Sequence, residues 1–205
     1  MKRLVIILDP AHGKDVAGKC SPDKSHYEWK YSREILSQLK SKLEAEGFRV
    51  EVTNDTDNEI GLSNRAKFAT DLEVQEEQIK FLFSLHNNAS GNGVHWGTAT
   101  GYEIYSYKNP RSTSYKISEF IIKELRWYFP ELKMRVFGPN NVVKQQNYTV
   151  LMGAGYYASL LEWMFMDTPD DLKVIKNKAY NDKLIESLVQ IFIDLDEDFD
   201  KITKR

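Results

Sequence analysis

The chain has 205 residues, of which 41% are hydrophobic and 28% are charged, so it can bury the core of one ordinary soluble domain. Its 28 Lys and Arg residues nearly balance its 30 Asp and Glu residues, so the chain has no overall positive field that would hold nucleic acid. The single cysteine, Cys20, excludes an internal disulfide, and we expect it to remain an unligated thiol.

The first part of the chain predicts two strands and a helix between them. Residues 4–8 form an apolar run with β-branched side chains, which is typical of a strand buried on both faces. A helix is predicted for about residues 28–46, and Gly47 stands where a C-terminal cap belongs. Residues 48–53 then alternate as a strand. The apolar residues that recur at helical spacing are Ile35, Leu36, Leu39 and Leu43.

The middle of the chain continues this alternation. Ser63 is the predicted N-cap of a short helix that ends near Asp71. Residues 79–85 predict the next buried strand, and residues 86–91 leave it as a polar loop. A further strand is predicted at residues 102–106.

The last part of the chain predicts one strand between two amphipathic helices. The first helix covers about residues 112–128 and the strand covers residues 158–162, whereas residues 129–157 show no clear pattern. The closing helix has one apolar face, made of Leu184, Leu188, Ile191 and Leu195. The sequence therefore predicts an α/β fold, a single domain with a mostly parallel twisted sheet flanked by helices.

Four polar residues are predicted to meet at one edge of this sheet. His12 follows the first strand, His86 ends the third strand, and Glu162 ends the last strand. Ligands of such sheets bind beyond the carboxyl ends of the strands. Glu28 joins the other three because it opens the first helix on the face that packs against the sheet, where the positive helix end favours a carboxylate.

The donor types of these residues indicate a metal site. Two imidazoles and one carboxylate suit Zn²⁺, and three protein ligands leave a coordination position for water, as in catalytic zinc sites. A second carboxylate can then accept a proton. The residue types alone leave simpler roles open, because either histidine also fits a hydrogen-bonded loop residue. Glu28 is also compatible with a solvent-exposed carboxylate at the start of a helix, and Glu162 is also compatible with a partner in a salt bridge.

A composite motif extends from about residue 4 to residue 195. It consists of Asp9-Pro10-Ala11-His12-Gly13, Glu28 at a helix start, Ser84-Leu85-His86-Asn87-Asn88-Ala89 and Leu160-Leu161-Glu162-Trp163-Met164-Phe165. This motif resembles that of the zinc N-acetylmuramoyl-L-alanine amidases.

The resemblance implies a role for each of the four polar residues. His12, Glu28 and His86 would bind zinc, and Glu162 would be the catalytic carboxylate. Length and resemblance together predict that residues 1–205 are a single amidase catalytic domain, with no separate wall-binding domain.

The chain departs from the family pattern at three positions. Ala11 stands where the family usually has glycine, Lys14 replaces a second glycine after the histidine, and Met164 replaces a glycine of the late motif. These changes concern loop shape and substrate contacts more than metal binding, because every ligand-type residue is present. Residues 62–69 are similar to the arginine-bearing helix of the family.

The expected reaction is hydrolysis of the amide that joins the lactyl group of N-acetylmuramic acid to L-alanine in peptidoglycan, with Glu162 as the general base. A zinc peptidase that acts on other peptides is an alternative, because the same ligand set supports it. An inactive peptidoglycan-binding module is a third possibility. Glu162 argues against the third, because such a module need not retain the base.

The other polar residues near these motifs fit structural roles. His26 and His95 are expected at the surface or on the substrate side. Asp9 fits equally a strand-ending turn residue and a carboxylate that orients a ligand imidazole. Asn87 and Asn88 fit loop shaping better than substrate contacts.

No export signal is evident, because Asp9 ends the first apolar run, and no segment approaches the roughly 20 apolar residues that cross a bilayer. We therefore expect neither membrane insertion nor a nucleic-acid partner. We expect a protein that is made in the cytoplasm and acts on the cell wall, either after phage-lysin-like release or after loss of a leader. The sequence leaves the oligomeric state and the stem-peptide preference open.

Overall fold

The computed structural model describes residues 2–91, 93–109, 112–138 and 141–204. The strands are β1 (Leu4–Pro10), β2 (Arg49–Val52), β3 (Ile79–Asn88), β4 (Glu103–Ser106), β5 (Val143–Gln145) and β6 (Tyr157–Phe165). The helices are α1 (Glu28–Ala45), α2 (Leu62–Asp71), α3 (Thr113–Tyr128), α4 (Pro169–Ile175), α5 (Lys178–Glu197) and α6 (Phe199–Thr203), and one 3-10 turn covers Thr149–Leu151. Among these helices, none is long and apolar enough to cross a membrane.

The six strands form one sheet in the order β2-β1-β3-β6-β4-β5. The first four strands in this order are parallel to one another, whereas β4 pairs antiparallel with β6, and β5 pairs parallel with β4. The predicted α/β fold with a mostly parallel sheet is therefore confirmed. This order places the carboxyl ends of β1, β3 and β6 side by side, which is where ligands of such sheets bind.

Helices cover the two faces of the sheet unequally. The larger core lies under α1, α3 and α5. On the opposite face, α2 and the 3-10 turn cover a smaller apolar cluster that includes Ile7, Leu82 and Leu160. Side chains alternate between faces along a strand, so residues separated by an even number share a face. His86, four residues after Leu82, and Glu162, two residues after Leu160, therefore lie on the smaller face.

A glycine cap ends α1 as predicted. The N–H of Gly47 donates to the carbonyl of Glu44 at 3.0 Å, and the N–H of Phe48 donates to the carbonyl of Leu43 at 3.0 Å. This pair of bonds defines a Schellman motif. Gly47 has a φ of 86°, a left-handed conformation that glycine adopts without a Cβ clash. The cap turns the chain directly into β2.

Two strands are longer than the sequence pattern predicts. β3 continues through Asn88 instead of ending at residue 85, because His86 and Asn88 still pair with β6. β6 continues to Phe165, so Glu162 lies inside the strand and not at its end. Polar residues at a functional sheet edge interrupt the apolar pattern from which strand ends are predicted, and this hides the extensions.

Several short elements were not predicted. β5 and the 3-10 turn each have three residues, α4 has seven and α6 has five, which is too short for a periodic pattern. The predicted N-cap of α2 is also wrong. Gly61, with a φ of 86°, occupies the N-cap position, whereas Ser63 lies within the first turn of the helix.

A β-bulge interrupts the pairing of β3 with β6 beside the predicted catalytic residue. His86 pairs with Glu162 but Asn88 pairs with Phe165, so β6 contains one extra residue. Met164 lies in this bulge with a φ of 60°, a left-handed conformation that costs a non-glycine residue roughly 1 to 2 kcal/mol. Its side chain is only 2% exposed, so apolar packing offsets the strain. The glycine of the family motif thus corresponds to a position where the backbone favours glycine.

Candidate metal and catalytic site

Three side chains with metal-ligand atoms converge beyond the carboxyl end of β1 and beside that of β3. His12 Nε2 lies 3.4 Å from Glu28 Oε2, and His86 Nδ1 lies 2.8 Å from Glu28 Oε1. One ligand atom from each residue lies within 4.8 Å of the other two. The two imidazole rings meet edge to face, with centroids 5.0 Å apart. The fold therefore brings together the three residues that the sequence singles out as metal ligands.

Each of these side chains is positioned by a different element. His12 follows β1 with a φ of 43°, which is uncommon for a residue other than glycine. Glu28 is the first residue of α1 and is 2% exposed. The N–H of Asn87 donates to Glu28 Oε1 at 3.2 Å, which holds the carboxylate against β3. His86 belongs to β3 itself, so its ring direction is fixed by the sheet.

The ionisation of His12 and Glu28 fits a divalent cation, because a neutral imidazole and a carboxylate anion are the forms that bind a metal ion. Burial lowers the pKa of His12 to about 4, so its ring is neutral and keeps a lone pair near neutral pH. Burial raises the pKa of Glu28, but the hydrogen bond and charge of His86 outweigh it and lower the pKa overall. Burial lowers the pKa of His86, but the hydrogen bond and charge of Glu28 raise it overall.

Glu28 is a buried carboxylate whose neighbours are two imidazoles. Within the ranges that the structure describes, no lysine or arginine nitrogen lies within 4.0 Å of its carboxylate. A buried carboxylate without a cationic partner costs several kcal/mol, of order the penalty for one desolvated ion. Imidazole nitrogen and carboxylate oxygen are both donors that zinc accepts, so this donor set fits a zinc ion.

Glu162 lies beside this group, in register with His86 on the neighbouring strand. Its Oε2 atom is buried and has no hydrogen-bond partner among the described residues. Burial raises the pKa of Glu162 to about 7, with His86 lowering it and Glu28 raising it. In the part of the chain that the structure describes, Glu162 does not form the salt bridge that the sequence left open for it. An unpaired carboxylate in this position can accept a proton.

A third carboxylate, Glu103 on β4, continues this row across the sheet. It is in register with Glu162 and is 1% exposed, but it is fully paired. It accepts hydrogen bonds from Arg135 Nε at 2.7 Å, from the Tyr105 hydroxyl at 2.7 Å and from Asn88 Nδ2 at 2.8 Å. Burial raises the pKa of Glu103, but these partners lower it overall. Glu103 is not among the site residues predicted from the sequence, because only the strand register reveals that it adjoins Glu162.

An ion network centred on Arg65 of α2 holds the loop after β1. Arg65 is 1% exposed, and its guanidinium lies 2.9 Å from Asp9 Oδ1 and 2.9 Å from Glu59 Oε1. Its Nη2 donates to the carbonyl oxygen of His12 at 3.0 Å, and Nη2 of Arg33 donates to the same oxygen at 3.0 Å. Two guanidinium groups therefore fix the backbone that carries the first imidazole. The predicted arginine-bearing helix is confirmed as α2.

Asp9 has neither of the two roles that the sequence left open for it, because it lies inside β1, where it pairs with Ser84 and the strand continues to Pro10. Its Oδ1 accepts hydrogen bonds from Arg65 at 2.9 Å and Thr53 at 2.5 Å, and its Oδ2 accepts one from Ser84 at 2.6 Å. No imidazole is among these hydrogen-bond partners. Asp9 therefore anchors Arg65 and ties β1 to the chain on either side, and it does not orient a ligand ring.

His26 lies beneath the site, so its predicted surface or substrate-side position is wrong. Its side chain is buried, and its Nε2 lies 2.8 Å from Asn87 Oδ1. Asn87 Nδ2 in turn donates to the carbonyl oxygen of Trp163 at 2.6 Å. A bridge between Cys20 and Tyr27 folds this segment back on itself, which places His26 under α1 and β3. Asn87 thus has a structural role, but it lies inside β3 and not in the loop that the sequence predicted.

The family departures near His12 do not prevent His12, Glu28 and His86 from converging. Ala11 is buried, and Lys14 is exposed with its ammonium 4.0 Å from Asp57. Gly13, which the family pattern retains, has no room for a side chain, since a Cβ atom there would lie 2.0 Å from the backbone nitrogen of Glu59. The close approach of the loops at residues 13 and 59 is therefore the constraint that requires glycine.

A cavity of about 250 Å³ opens beside these groups. Its polar lining includes His12, His86 and Glu162, and Lys19 also borders it. A cavity of this size admits only a small part of a substrate, because drug-sized ligands occupy roughly 300 to 1,000 Å³. Its apolar lining includes Leu62, Val150 and Leu160.

Comparison with known proteins identifies a family. The chain matches the Amidase_3 family, described as N-acetylmuramoyl-L-alanine amidase, over residues 6–192. It is similar to the probable cell wall amidase LytH of Staphylococcus epidermidis, with 26% identity over 191 residues, which cover 92% of this chain and 57% of the relative. The probable cell wall amidase LytH of Staphylococcus aureus is 27% identical over 186 residues, covering 90% of this chain and 55% of the relative. The chain thus spans little more than half the length of these curated relatives.

Solved structures share the fold along nearly the whole chain. The N-acetylmuramoyl-L-alanine amidase of Clostridium difficile 630 superposes with a TM-score of 0.80 and 26% identity, covering 95% of this chain and 97% of that chain. The catalytic domain of the amidase CwlV from Bacillus (Paenibacillus) polymyxa var. colistinus superposes with a TM-score of 0.77 and 19% identity, covering 95% and 97%. The second likeness concerns the fold alone.

Replacing Arg65 by methionine should lower the free energy of unfolding by about 3 to 5 kcal/mol, because Asp9 and Glu59 would lose their counter-charge. Urea unfolding followed by circular dichroism measures this change. Arg49→Met is the matched control, because Arg49 pairs with Glu51 at the protein surface and its loss should cost less than about 1 kcal/mol. A similarly small loss for Arg65→Met would contradict a central role for this network.

Proposed function

The chain belongs to the N-acetylmuramoyl-L-alanine amidase family, and from this membership we propose that it hydrolyses the amide between the lactyl group of N-acetylmuramic acid and L-alanine in peptidoglycan. The observation that carries the proposal is an unpaired, buried carboxylate oxygen on Glu162 beside a His-Glu-His group. A protein that only binds peptidoglycan gains nothing from such a carboxylate, because its desolvation costs free energy.

His12, Glu28 and His86 are the zinc ligands in this proposal. The support is their donor chemistry, two imidazole nitrogens and a carboxylate, together with their convergence within 4.8 Å. When bound, zinc supplies a Lewis acid that polarises the substrate carbonyl and lowers the pKa of water from about 15.7 toward about 7.

Glu162 is the general base and then the general acid. Its carboxylate takes one proton from the attacking water and later passes it to the departing nitrogen of L-alanine. The products are the free lactyl carboxyl group and the free α-amine, which balances the addition of one water molecule. Glu103 is a poor competitor for this role, because its oxygens already accept hydrogen bonds from Tyr105, Arg135 and Asn88.

The shape of the cavity also suits this amide. Both groups that flank the cleaved bond, lactyl and alanyl, carry one methyl group. The apolar side chains of Leu62, Val150 and Leu160 can cover such small groups, and burial contributes about 0.8 kcal/mol per methylene-sized group. The remainder of the glycan and peptide would then lie outside this small cavity.

We expect digested peptidoglycan to show new N-terminal alanine and free muramoyl carboxyl groups, without new reducing ends. Amine labelling, reducing-end assays and mass spectrometry of the products measure these quantities. New reducing ends as the main product would contradict amide hydrolysis. Cleavage confined to stem or crosslink peptides would favour a zinc peptidase.

We expect about one zinc per chain, held by the three proposed ligands. Elemental analysis of the purified protein should show that zinc is lost in the His12→Ala/His86→Ala double variant. His95→Ala is the matched control, because His95 is exposed, and it should keep the wild-type stoichiometry. Unchanged zinc content in the double variant would rule out this ligand set.

Glu162→Gln should retain zinc but hydrolyse muramoyl-peptide about 10² to 10⁴ times more slowly, because the amide conserves shape and removes the base. Steady-state rates on a soluble muramoyl-peptide, with zinc content measured in parallel, test this expectation. Glu44→Gln is the control, because that glutamate lies at the surface of α1. A wild-type rate for Glu162→Gln would return Glu162 to a structural role.

A further inference from the structure

Lys19 supplies a positive charge at the border of the catalytic cavity. Its side chain is half-buried and lines the cavity together with Glu162. Burial is the largest single influence on the pKa values of Glu28 and Glu162 and raises both, whereas the charges of His86 and of the Lys19 ammonium lower both. The ammonium therefore lies close enough to the predicted reaction centre to influence its charges.

The charge of Lys19 is available to a ligand. Across residues 2–91, 93–109, 112–138 and 141–204, no carboxylate lies within 4.0 Å of its ammonium. The nearby arginines differ, because Arg65 is directed at Asp9 and Glu59, and Arg33 donates to backbone carbonyls. Lys19 is thus a cation of the cavity lining without an ion-pair partner in the described part of the chain.

The backbone of Lys19 is held on two sides. Its carbonyl oxygen accepts a hydrogen bond from the N–H of Glu28 at 3.1 Å, which ties it to the start of α1. On the other side, a Cβ atom at Gly93 would lie 2.9 Å from the carbonyl oxygen of Gly18 and 3.2 Å from that of Cys20. The segment 18–20 is therefore packed between α1 and the loop at Gly93. An anchored backbone keeps the base of this side chain at the cavity border, so no ordering of the loop is needed when a ligand binds.

The proposed substrate has few groups that such a cation can bind. The lactyl carboxyl group is consumed in the cleaved amide, and the sugar ring is neutral. The nearest anionic group lies on the peptide, where the second stem residue is a γ-linked glutamate whose α-carboxylate is either free or amidated. A lysine ammonium distinguishes these two forms, because it forms a charge-assisted hydrogen bond only with the free carboxylate.

We propose that Lys19 binds the free α-carboxylate of the second stem residue and thereby makes the enzyme prefer non-amidated stem peptides. This proposal rests on the proposed amidase function. Lys19 is in this view a specificity-determining residue of the peptide side of the site, and it takes no part in proton transfer.

The test compares two soluble N-acetylmuramoyl-L-alanyl-γ-D-glutamyl peptides of equal length, both amidated at the C-terminus. They differ only in whether the glutamyl α-carboxylate is free or amidated. Wild-type kcat/KM should be about tenfold higher for the free form, the size expected from one charge-assisted hydrogen bond. Lys19→Met should bring this ratio close to one, whereas Lys19→Arg should retain it. Lys14→Met, which removes an exposed ammonium from the same loop, should leave the ratio at its wild-type value.

Two results of the rate comparison overturn the proposal. One is a wild-type ratio near one, and the other is a Lys19→Met variant that loses the same factor on both peptides, which would indicate an electrostatic effect on the reaction centre. Calorimetric binding of the two peptides to Glu162→Gln gives a second measurement that does not need turnover. If the wild-type protein cleaves neither peptide, the proposed function fails, and the ratio of the two Kd values still decides the role of Lys19. Equal Kd values overturn it, and a tenfold preference that Lys19→Met abolishes supports it.

Discussion

The burial of one guanidinium group is the constraint on which the arrangement of the site depends. Arg65 is almost inaccessible to water, so each of its donors must meet an acceptor inside the protein. Asp9 and Glu59 supply the charge, and the carbonyl oxygen of His12 supplies a further acceptor. Helix α2 therefore determines the path of the loop after β1. The direction of the first imidazole follows from that path, as does the close approach that excludes a side chain at Gly13.

The parts of the site that local patterns encode could be predicted from the sequence. His86 and Glu162 follow apolar runs in the sequence, and the alternation of strands and helices brings the carboxyl ends of the strands that contain such runs together. The direction of Glu28 follows from helical spacing. The remaining parts of the site could not be predicted, because they depend on strand register or on segments without a periodic pattern. Glu103 reaches the site only through its pairing with Glu162, and His26 reaches it only because its segment folds back.

One wall of the cavity was not predicted, because it includes residues from the region 129–157, whose sequence shows no clear pattern. This region contributes a three-residue strand and a three-residue 3-10 turn, and neither is long enough to show a period. Val150 nonetheless lies in the cavity lining and packs in the smaller apolar cluster. Long-range packing determines the position of such a segment, and a single sequence does not display that packing.

Two adjacent carboxylates show how environment separates function from structure. Glu103 and Glu162 are neighbours in register on β4 and β6, and burial acts to raise the pKa of both. The pKa of Glu103 is lowered by its hydrogen-bond partners, whereas that of Glu162 is raised by burial without such partners. Two glutamate side chains on one sheet face can thus have pKa values that are shifted in opposite directions, because the hydrogen-bond donors around them differ.

The position of β6 in the sheet affects when the protein can become active during its synthesis. β6 is the last strand along the chain, yet it lies in the interior of the sheet, between β3 and β4. Until residue 165 has left the ribosome, both neighbours present open strand edges, which favour association with other chains. The residue proposed as the base is also the last of the four site residues to be translated. The nascent chain is therefore prone to aggregate, and lacks a complete reaction centre, until β6 has been translated. Both conditions end when β6 inserts between β3 and β4.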